Sequence, residues 1–390
     1  MRRGIAILLL VVALGAAVWA LARPDRRGEP SASLSVAEAL RGDDARGYAR
    51  AVEPRDFSFP ADHGPHPEFR TEWWYYTGNL ATREGRRFGF QLTFFRSALA
   101  PLAPKTPERR SAWATRQAWL AHFTVTDVEG RRFRSFERWS RDALDLAGVK
   151  AEPFRVWLGD WSSEAAGPPA GGTPPMRLRA AQEGIAIDLL LQPGKPPALQ
   201  GERGLSRKSA EPGNASYYYS LTRMPAAGTV SLDGESFPVT GSAWMDREWS
   251  TSSLGKNQVG WDWFALQLDD GSEVMLYRLR RTDGSPDPSS SGTTTAPDGA
   301  ARPLALAGFE LEDLDFWQSS DSGARYPARW RVRVPSEGLD LEVEPLLADQ
   351  ELDVSFRYWE GAVAVEGTRR GRPVRGRGYV EMTGYAGSGE

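Results

Sequence analysis

Along this chain, apolar and polar positions alternate in twos far more often than they recur at helical spacing. Glu72-Trp73-Trp74-Tyr75-Tyr76-Thr77-Gly78-Asn79-Leu80 is aromatic and β-prone. A turn-like stretch at 81–87 leads into Phe88-Gly89-Phe90-Gln91-Leu92-Thr93-Phe94-Phe95-Arg96. Two such runs around a Gly-containing turn predict a β-hairpin. Further strands are predicted at 119–127, 185–192, 217–223 and 237–249, while apolar stripes of helical period are nearly absent. Stretches 164–175, 193–213 and 283–303 are rich in Gly, Pro, Ser and Thr and predict surface loops between strands. Residues 23–54, charged and containing Gly, Pro and Ser, predict a linker with room for one short helix at 33–40. The pattern is that of an all-β protein.

A weak internal repeat organises these strands. Trp74-Tyr75 opens a hairpin that closes with Phe94-Phe95-Arg96, and the plan recurs in Trp261-Asp262-Trp263-Phe264, the turn Asp269-Asp270-Gly271, and Tyr277-Arg278. Pro238-Val239 with Gly241, Ala243, Trp244, Met245 and Asp246 lines up with Pro373-Val374 with Gly376, Gly378, Tyr379, Val380 and Glu381. One half therefore runs over 56–250 and the next over 251–388. Pairing the first strand of each half with its last would remove the exposed sheet edges. The expected architecture is two antiparallel, lipocalin-like β-barrels in tandem.

The N-terminus adds a targeting signal. Met1-Arg2-Arg3 precedes an apolar run over 4–22, which fits a secretory signal with Ala20-Leu21-Ala22 as a cleavage site. The run is also long enough to remain as a membrane anchor, since a span needs ~20 residues. Either way the chain is expected to be exported to the periplasm, soluble or tethered to the inner membrane by residues 4–22. With 48 Lys and Arg against 51 Asp and Glu there is no field for gripping nucleic acid. No cysteine is present, which removes disulfides, thiol chemistry and a lipobox anchor.

The strand segments carry a family resemblance. Phe57, Phe59-Pro60, Asp62-His63-Gly64, His66, Phe69 and the run 72–79 resemble the opening of the carotenoid 1,2-hydratase/AttH-like family. Residues 217–224, 243–250, 260–264, 349–352, 358–361 and 378–385 match it in the same order. The resemblance implies a pair of lipocalin-like (calycin) domains. Members are described as secreted hydrolases or are encoded beside ABC-transporter permeases, and fungal Diels–Alderase-type cyclases share the architecture. Two positions depart from the hydratase pattern: Arg247 stands in place of a His, and Leu279 in place of an acid two residues after Tyr277.

Chemistry narrows further. No G-x-S-x-G pentapeptide is present, and the three histidines, His63, His66 and His122, have no evident triad partner. Zinc on His63 and His66 with His122 or Glu72 is conceivable, but the H-x-x-H lies in a Gly/Pro loop, where the two histidines are expected to cap the lead-in to the first strand. Neither metal nor cofactor is expected. The better candidates are carboxylates among aromatics: Asp246, Glu248, Glu72 and Asp262. Period-two alternation puts Trp244, Asp246 and Glu248 on one strand face and Met245, Arg247 and Trp249 on the other. An acid walled by Trp and Tyr loses hydration of its charged form and can protonate at neutral pH. Hydration of an alkene needs that acid, a water and a surface that stabilises a carbocation, which aromatic faces supply. The ligand-binding candidates are Trp74, Tyr76, Trp244, Arg247, Trp261, Trp263 and Tyr277. Glu72, Asp246, Arg247, Glu248 and Asp262 are expected to converge where the first barrel closes and the second begins. The alternative is an Asp246–Arg247–Glu248 ion-pair cluster that pins the barrels together.

Three function classes follow: a hydratase-like or isomerase-like enzyme on a long isoprenoid or lipid, a non-catalytic lipid-binding accessory protein of an ABC-type transporter, and a secreted hydrolase.

Overall fold

The computed structural model describes residues 46–102, 111–252 and 254–386. The first predicted hairpin forms from strands Thr71–Ala81 and Arg87–Ala98, paired from Thr71↔Ser97 to Ala81↔Arg87. The other predicted runs fold as strands Gln117–Asp127, Ile185–Leu191, Ala215–Leu232 and Glu235–Ser250. The last two reach well past their apolar stretches because they pair with each other across an Asp233-Gly234 turn. Both turn residues have positive φ, as a tight hairpin of the right twist requires.

The strands make two antiparallel sheets. The first runs in space Arg132–Arg141, Gln117–Asp127, Arg87–Ala98, Thr71–Ala81, Glu235–Ser250, Ala215–Leu232, Ile185–Leu191, Met176–Gln182, Trp161–Ala165, Phe154–Leu158 and Ala147–Ala151. The short strands Ala198–Leu199 and Leu205–Arg207 add to Ala215–Leu232. The second runs Ala301–Ala305, Ser291–Thr295, Glu273–Arg281, Gln258–Leu268, Arg372–Met382, Tyr358–Arg369, Leu339–Pro345, Arg325–Val334 and Glu310–Gln318, with Glu351–Leu352 beside Tyr358–Arg369.

In each sheet the first long strand pairs with the last. Thr71–Ala81 meets Glu235–Ser250 from Thr71↔Ser250 to Ala81↔Thr240, and Gln258–Leu268 meets Arg372–Met382 from Asp262↔Met382 to Leu268↔Gly376. This is the closure that the repeat predicted. The strands at the ends of each sheet exchange no ladder among the described residues, so the sheets are curled and nearly closed.

Each curled sheet is filled by its own side chains. Trp74, Tyr76, Phe88, Phe90, Leu92 and Phe94 are fully buried in the first, and Phe264, Leu266, Leu276, Trp330 and Val363 occupy the second. Neither interior is an empty ligand chamber. A third apolar cluster, including Tyr75, Tyr218, Trp244, Trp263, Met275 and Tyr379, packs between the outer faces of the two sheets. The Asn79 side chain donates to the Gly378 carbonyl at 3.0 Å, and Gln267 donates to the Ala243 carbonyl at 3.0 Å. These are equivalent positions of the repeat, so the interface is approximately two-fold.

Three expectations change. Residues 283–303 are not a plain loop: Ser291–Thr295 and Ala301–Ala305 form a hairpin, and Thr293 is buried against Gln200 at 2.6 Å. Residues 193–213 are not a plain surface insertion either, since Lys195 reaches Glu273 at 2.7 Å and Lys208 is buried. Residues 46–54, read as the end of a linker, lie on the first sheet, where Ala51 is fully buried and Tyr48 donates to the Ala98 carbonyl at 3.0 Å. Among the described residues no helix is long and apolar enough to cross a membrane. The apolar run at 4–22 and the linker over 23–45 lie outside the described residues.

Candidate functional site

The carboxylates singled out in the sequence do not converge. Alternation along the strands sends them to three places. Glu72 points into the first curled sheet, fully buried, where it pairs with Arg247 and, at 2.5 Å, with Arg96. Its carboxylate also accepts from the His66 backbone N–H at 3.1 Å. Burial opposes the charge, but the two guanidinium groups hold this carboxyl far below the usual range. Arg247 therefore serves Glu72 from the opposite face of its strand, and no Asp246–Arg247–Glu248 cluster forms. Its guanidinium lies 3.9 Å over the Trp74 ring. Trp74 and Tyr76 are core residues of the same interior, Trp74 donating to the His63 carbonyl at 2.8 Å.

Asp262 points into the second curled sheet and is tied to Arg278 at 2.8 Å and Arg280 at 3.2 Å. The histidines separate as well. His66 stacks on Trp249 at 3.7 Å and reaches Asp62 at 3.0 Å, beside the lead-in to the first strand. His63 meets the Tyr219 hydroxyl at 2.6 Å, and burial pushes its pKa down to about 4. His122 sits elsewhere, between Tyr358 at 2.7 Å and Glu137 at 3.1 Å. Among the described residues no group of His, Asp and Glu has the arrangement of a metal site.

Asp246 and Glu248 face the other way, into a cavity of about 230 Å³ between the two sheets. Trp73, Tyr75 and Phe95 wall it from the first sheet, and Trp261, Trp263 and Leu279 from the second. Tyr277 also lines it, so Trp261, Trp263 and Tyr277 stand where a ligand would touch them. Trp244 packs behind the wall and donates its indole N–H to Asp246 Oδ1 at 2.6 Å.

Two acidic settings occupy opposite walls. On the first sheet, Asp246 accepts hydrogen bonds from Tyr218, from Ser220 at 2.6 Å and from Trp244. Burial outweighs these donors, and with Glu248 nearby the Asp246 pKa is pushed up to about 7. Glu248 takes Ser216 and, at 3.0 Å, the buried Lys208 ammonium. Lys208 lies 4.4 Å over the Tyr277 ring and donates to Ser206 at 3.1 Å. Although burial works against its charge, Glu248 and Tyr277 hold the Lys208 pKa above its ordinary value. On the second sheet, Glu360 and Glu381 are directly opposed cross-strand partners, and both line the cavity.

Sequence reading missed Glu360, Glu381, Lys208, Tyr75 and Tyr218 as site residues. The repeat held a signal for Glu381, which aligns with Asp246. Lys208 lay in a stretch read as loop, where no periodicity could reveal an inward side chain.

The fold matches known proteins. A family model for AttH-like proteins matches residues 50–385. A crystal structure of a protein assigned as AttH from Nitrosomonas europaea is 36% identical, covers 87% of this chain and 100% of its own, and superposes with a TM-score of 0.77. Kievitone hydratase from Nectria haematococca is 13% identical with a TM-score of 0.65, over 86% of this chain and 98% of its own. CghA with Sch210972 is 14% identical with a TM-score of 0.50, over 88% of this chain and 97% of its own. No curated protein matches the sequence. With a filled first barrel, a filled second barrel and a family match spanning nearly all of both, the chain belongs to the AttH-like family.

Proposed function

We propose that the cavity between the sheets binds an apolar, unsaturated small molecule of isoprenoid or lipid type and adds water across one of its double bonds. Asp246 exchanges a proton with the reacting groups through Tyr218. The observation that carries this reading is a buried carboxyl on the wall of an aromatic cavity whose pKa is about 7, where it can both give and take a proton at neutral pH. The indole and phenol faces of Trp73, Tyr75, Trp261 and Trp263 suit both an apolar substrate and the positive charge that develops when a double bond is protonated. Kievitone hydratase is built on the same architecture. On this reading residues 4–22 direct the protein out of the cytoplasm, as a cleaved signal or as an anchor, so that it meets its ligand in the periplasm.

Organic extraction of the purified protein followed by mass spectrometry is expected to release an apolar, unsaturated compound. Incubating the loaded protein in 18O-labelled water is expected to yield a product heavier by one labelled water. Asp246→Asn should keep the fold and the bound compound while lowering that conversion ~10²-fold or more. A compound that stays bound and unlabelled in the wild-type protein would overturn hydration in favour of a non-catalytic lipid carrier.

A further inference from the structure

The two halves of the repeat place an acid at the same strand position, Asp246 in one and Glu381 in the other, but give it different company. Across the ladder from Asp246 stands Ser220, a hydrogen-bond donor to it. Across the ladder from Glu381, at the equivalent position, stands Glu360. Directly opposed like charges repel even on an exposed sheet. Here they face an apolar cavity, Glu360 is fully buried, and neither of its carboxylate oxygens has a well-aligned hydrogen bond. Two carboxylates so opposed, Glu360 fully buried and Glu381 half-buried, repel each other in poorly hydrated surroundings, and a shared proton relieves both.

We propose that Glu360 and Glu381 hold a proton between them and are the acid that delivers it to the bound ligand, while Asp246 with Tyr218 on the facing wall acts as the base. This deepens the hydration reading and rests on it. The company of each acid assigns the roles. Asp246 is surrounded by donors from Tyr218, Ser220 and Trp244, an environment shaped for a carboxylate. Glu360 has none of good geometry and is shaped for a carboxylic acid. Pairs of titratable groups pushed apart by their surroundings mark the acid and the base of a site.

The groups facing the pair agree with this. The Tyr75 and Tyr358 phenols flank Glu360 and favour its charge, yet burial and Glu381 outweigh them and raise its pKa. Burial also raises that of Glu381, with Asp246 and Glu248 adding repulsion and Trp261 opposing it. The one buried ammonium of the cavity, Lys208, is engaged by Glu248 and Ser206 on the first sheet.

The step balances. The O–H bond of the acid pair breaks, and its proton and the alkene π pair form a C–H bond, leaving a carbocation against the indole faces. Water then forms the C–O bond and loses a proton to Asp246. Return of that proton to the glutamates through water restores the starting state, and the net change is alkene plus water to alcohol.

Infrared spectroscopy of the purified full chain separates this from the hydration reading itself. At neutral pH Asp246→Asn, which removes the band of the half-protonated Asp246, should still show the carbonyl stretch of a protonated carboxyl, and the triple variant Asp246→Asn/Glu360→Gln/Glu381→Gln should lose it. In 18O-labelled water each single variant, Glu360→Gln or Glu381→Gln, should convert the bound compound ~10²-fold more slowly than wild type. Glutamine removes the repulsion without changing shape, so folding is expected to survive, and circular dichroism checks it. A triple variant that keeps the carboxyl band of Asp246→Asn overturns the shared proton, and a single glutamine variant with wild-type conversion overturns the donor role. A wild type that never hydrates its ligand, with the band present in Asp246→Asn and lost in the triple variant, refutes hydration, and the donor role with it, while the shared proton stands.

Discussion

Two acids on neighbouring strands show how a single residue's setting decides its behaviour. Glu72 and Asp246 lie on adjacent paired strands, on opposite faces, and burial acts on both. Arg247 and Arg96 overcome it for Glu72, whereas for Asp246 burial outweighs the Ser220, Tyr218 and Trp244 donors. Because the Glu72 pKa is depressed from 4.5, the native state binds fewer protons than the unfolded chain in acid. The stability it contributes is complete above that value and is lost as pH falls toward the native pKa. Arg247→Ala would leave the Glu72 charge with half its compensation and should cost about 3–5 kcal/mol at neutral pH. The deficit should shrink below the unfolded pKa, where protonation relieves the stranded charge. Urea unfolding of both proteins at neutral and acid pH measures this, and a deficit that grows in acid would contradict the account.

At the scale of elements, the Pro-Val-x-Gly motif is explained by closure. Gly241 and Gly376 sit where the last strand of each half meets the first, opposite Leu80 and Leu268. A Cβ at Gly241 would collide with the Asn79 carbonyl oxygen, and one at Gly376 with that of Gln267. Both obstacles are backbone in a paired strand and cannot turn aside. Gly241→Ala and Gly376→Ala are each expected to cost roughly 1–3 kcal/mol, the usual penalty of overpacking. Thermal unfolding followed by circular dichroism tests both, and a neutral effect would show that the strands separate there easily. The hairpin of Ser291–Thr295 and Ala301–Ala305 makes the converse point. A run of Ser, Gly and Thr reads as loop, yet pairing with Glu273–Arg281 and cover from Gln200 fold it as strand. Context outweighs propensity in such segments.

For the whole molecule, the cavity is a product of the interface. Each barrel fills its own interior, and the cavity lies where the two outer faces meet imperfectly. Those faces share the cluster of Tyr75, Tyr218, Trp244 and Trp263, and Lys195 and Arg223 reach Glu273 across the boundary at 2.7 and 2.5 Å. The two sheets are therefore expected to unfold together. Tryptophan fluorescence and far-ultraviolet circular dichroism should report coincident transitions in denaturant. Separate midpoints would show that each barrel is stable without the shared core.

The sequence by itself determined the all-β class, the two-fold repeat, the closing strands and the family, because period-two patterning and turn chemistry are local and repeat in register. It also determined which strand face each residue takes, as the separation of Asp246 and Glu248 from Arg247 shows. It did not determine what each face meets. Glu72, Asp246 and Asp262 were equally plausible as members of one site, and only the tertiary structure sent them to two filled interiors and one cavity. The pairing of Glu360 with Glu381 follows from strand register, and their position opposite Asp246 from the docking of two sheets. Both are long-range facts: local periodicity fixes the direction of a side chain, and only packing fixes its neighbours.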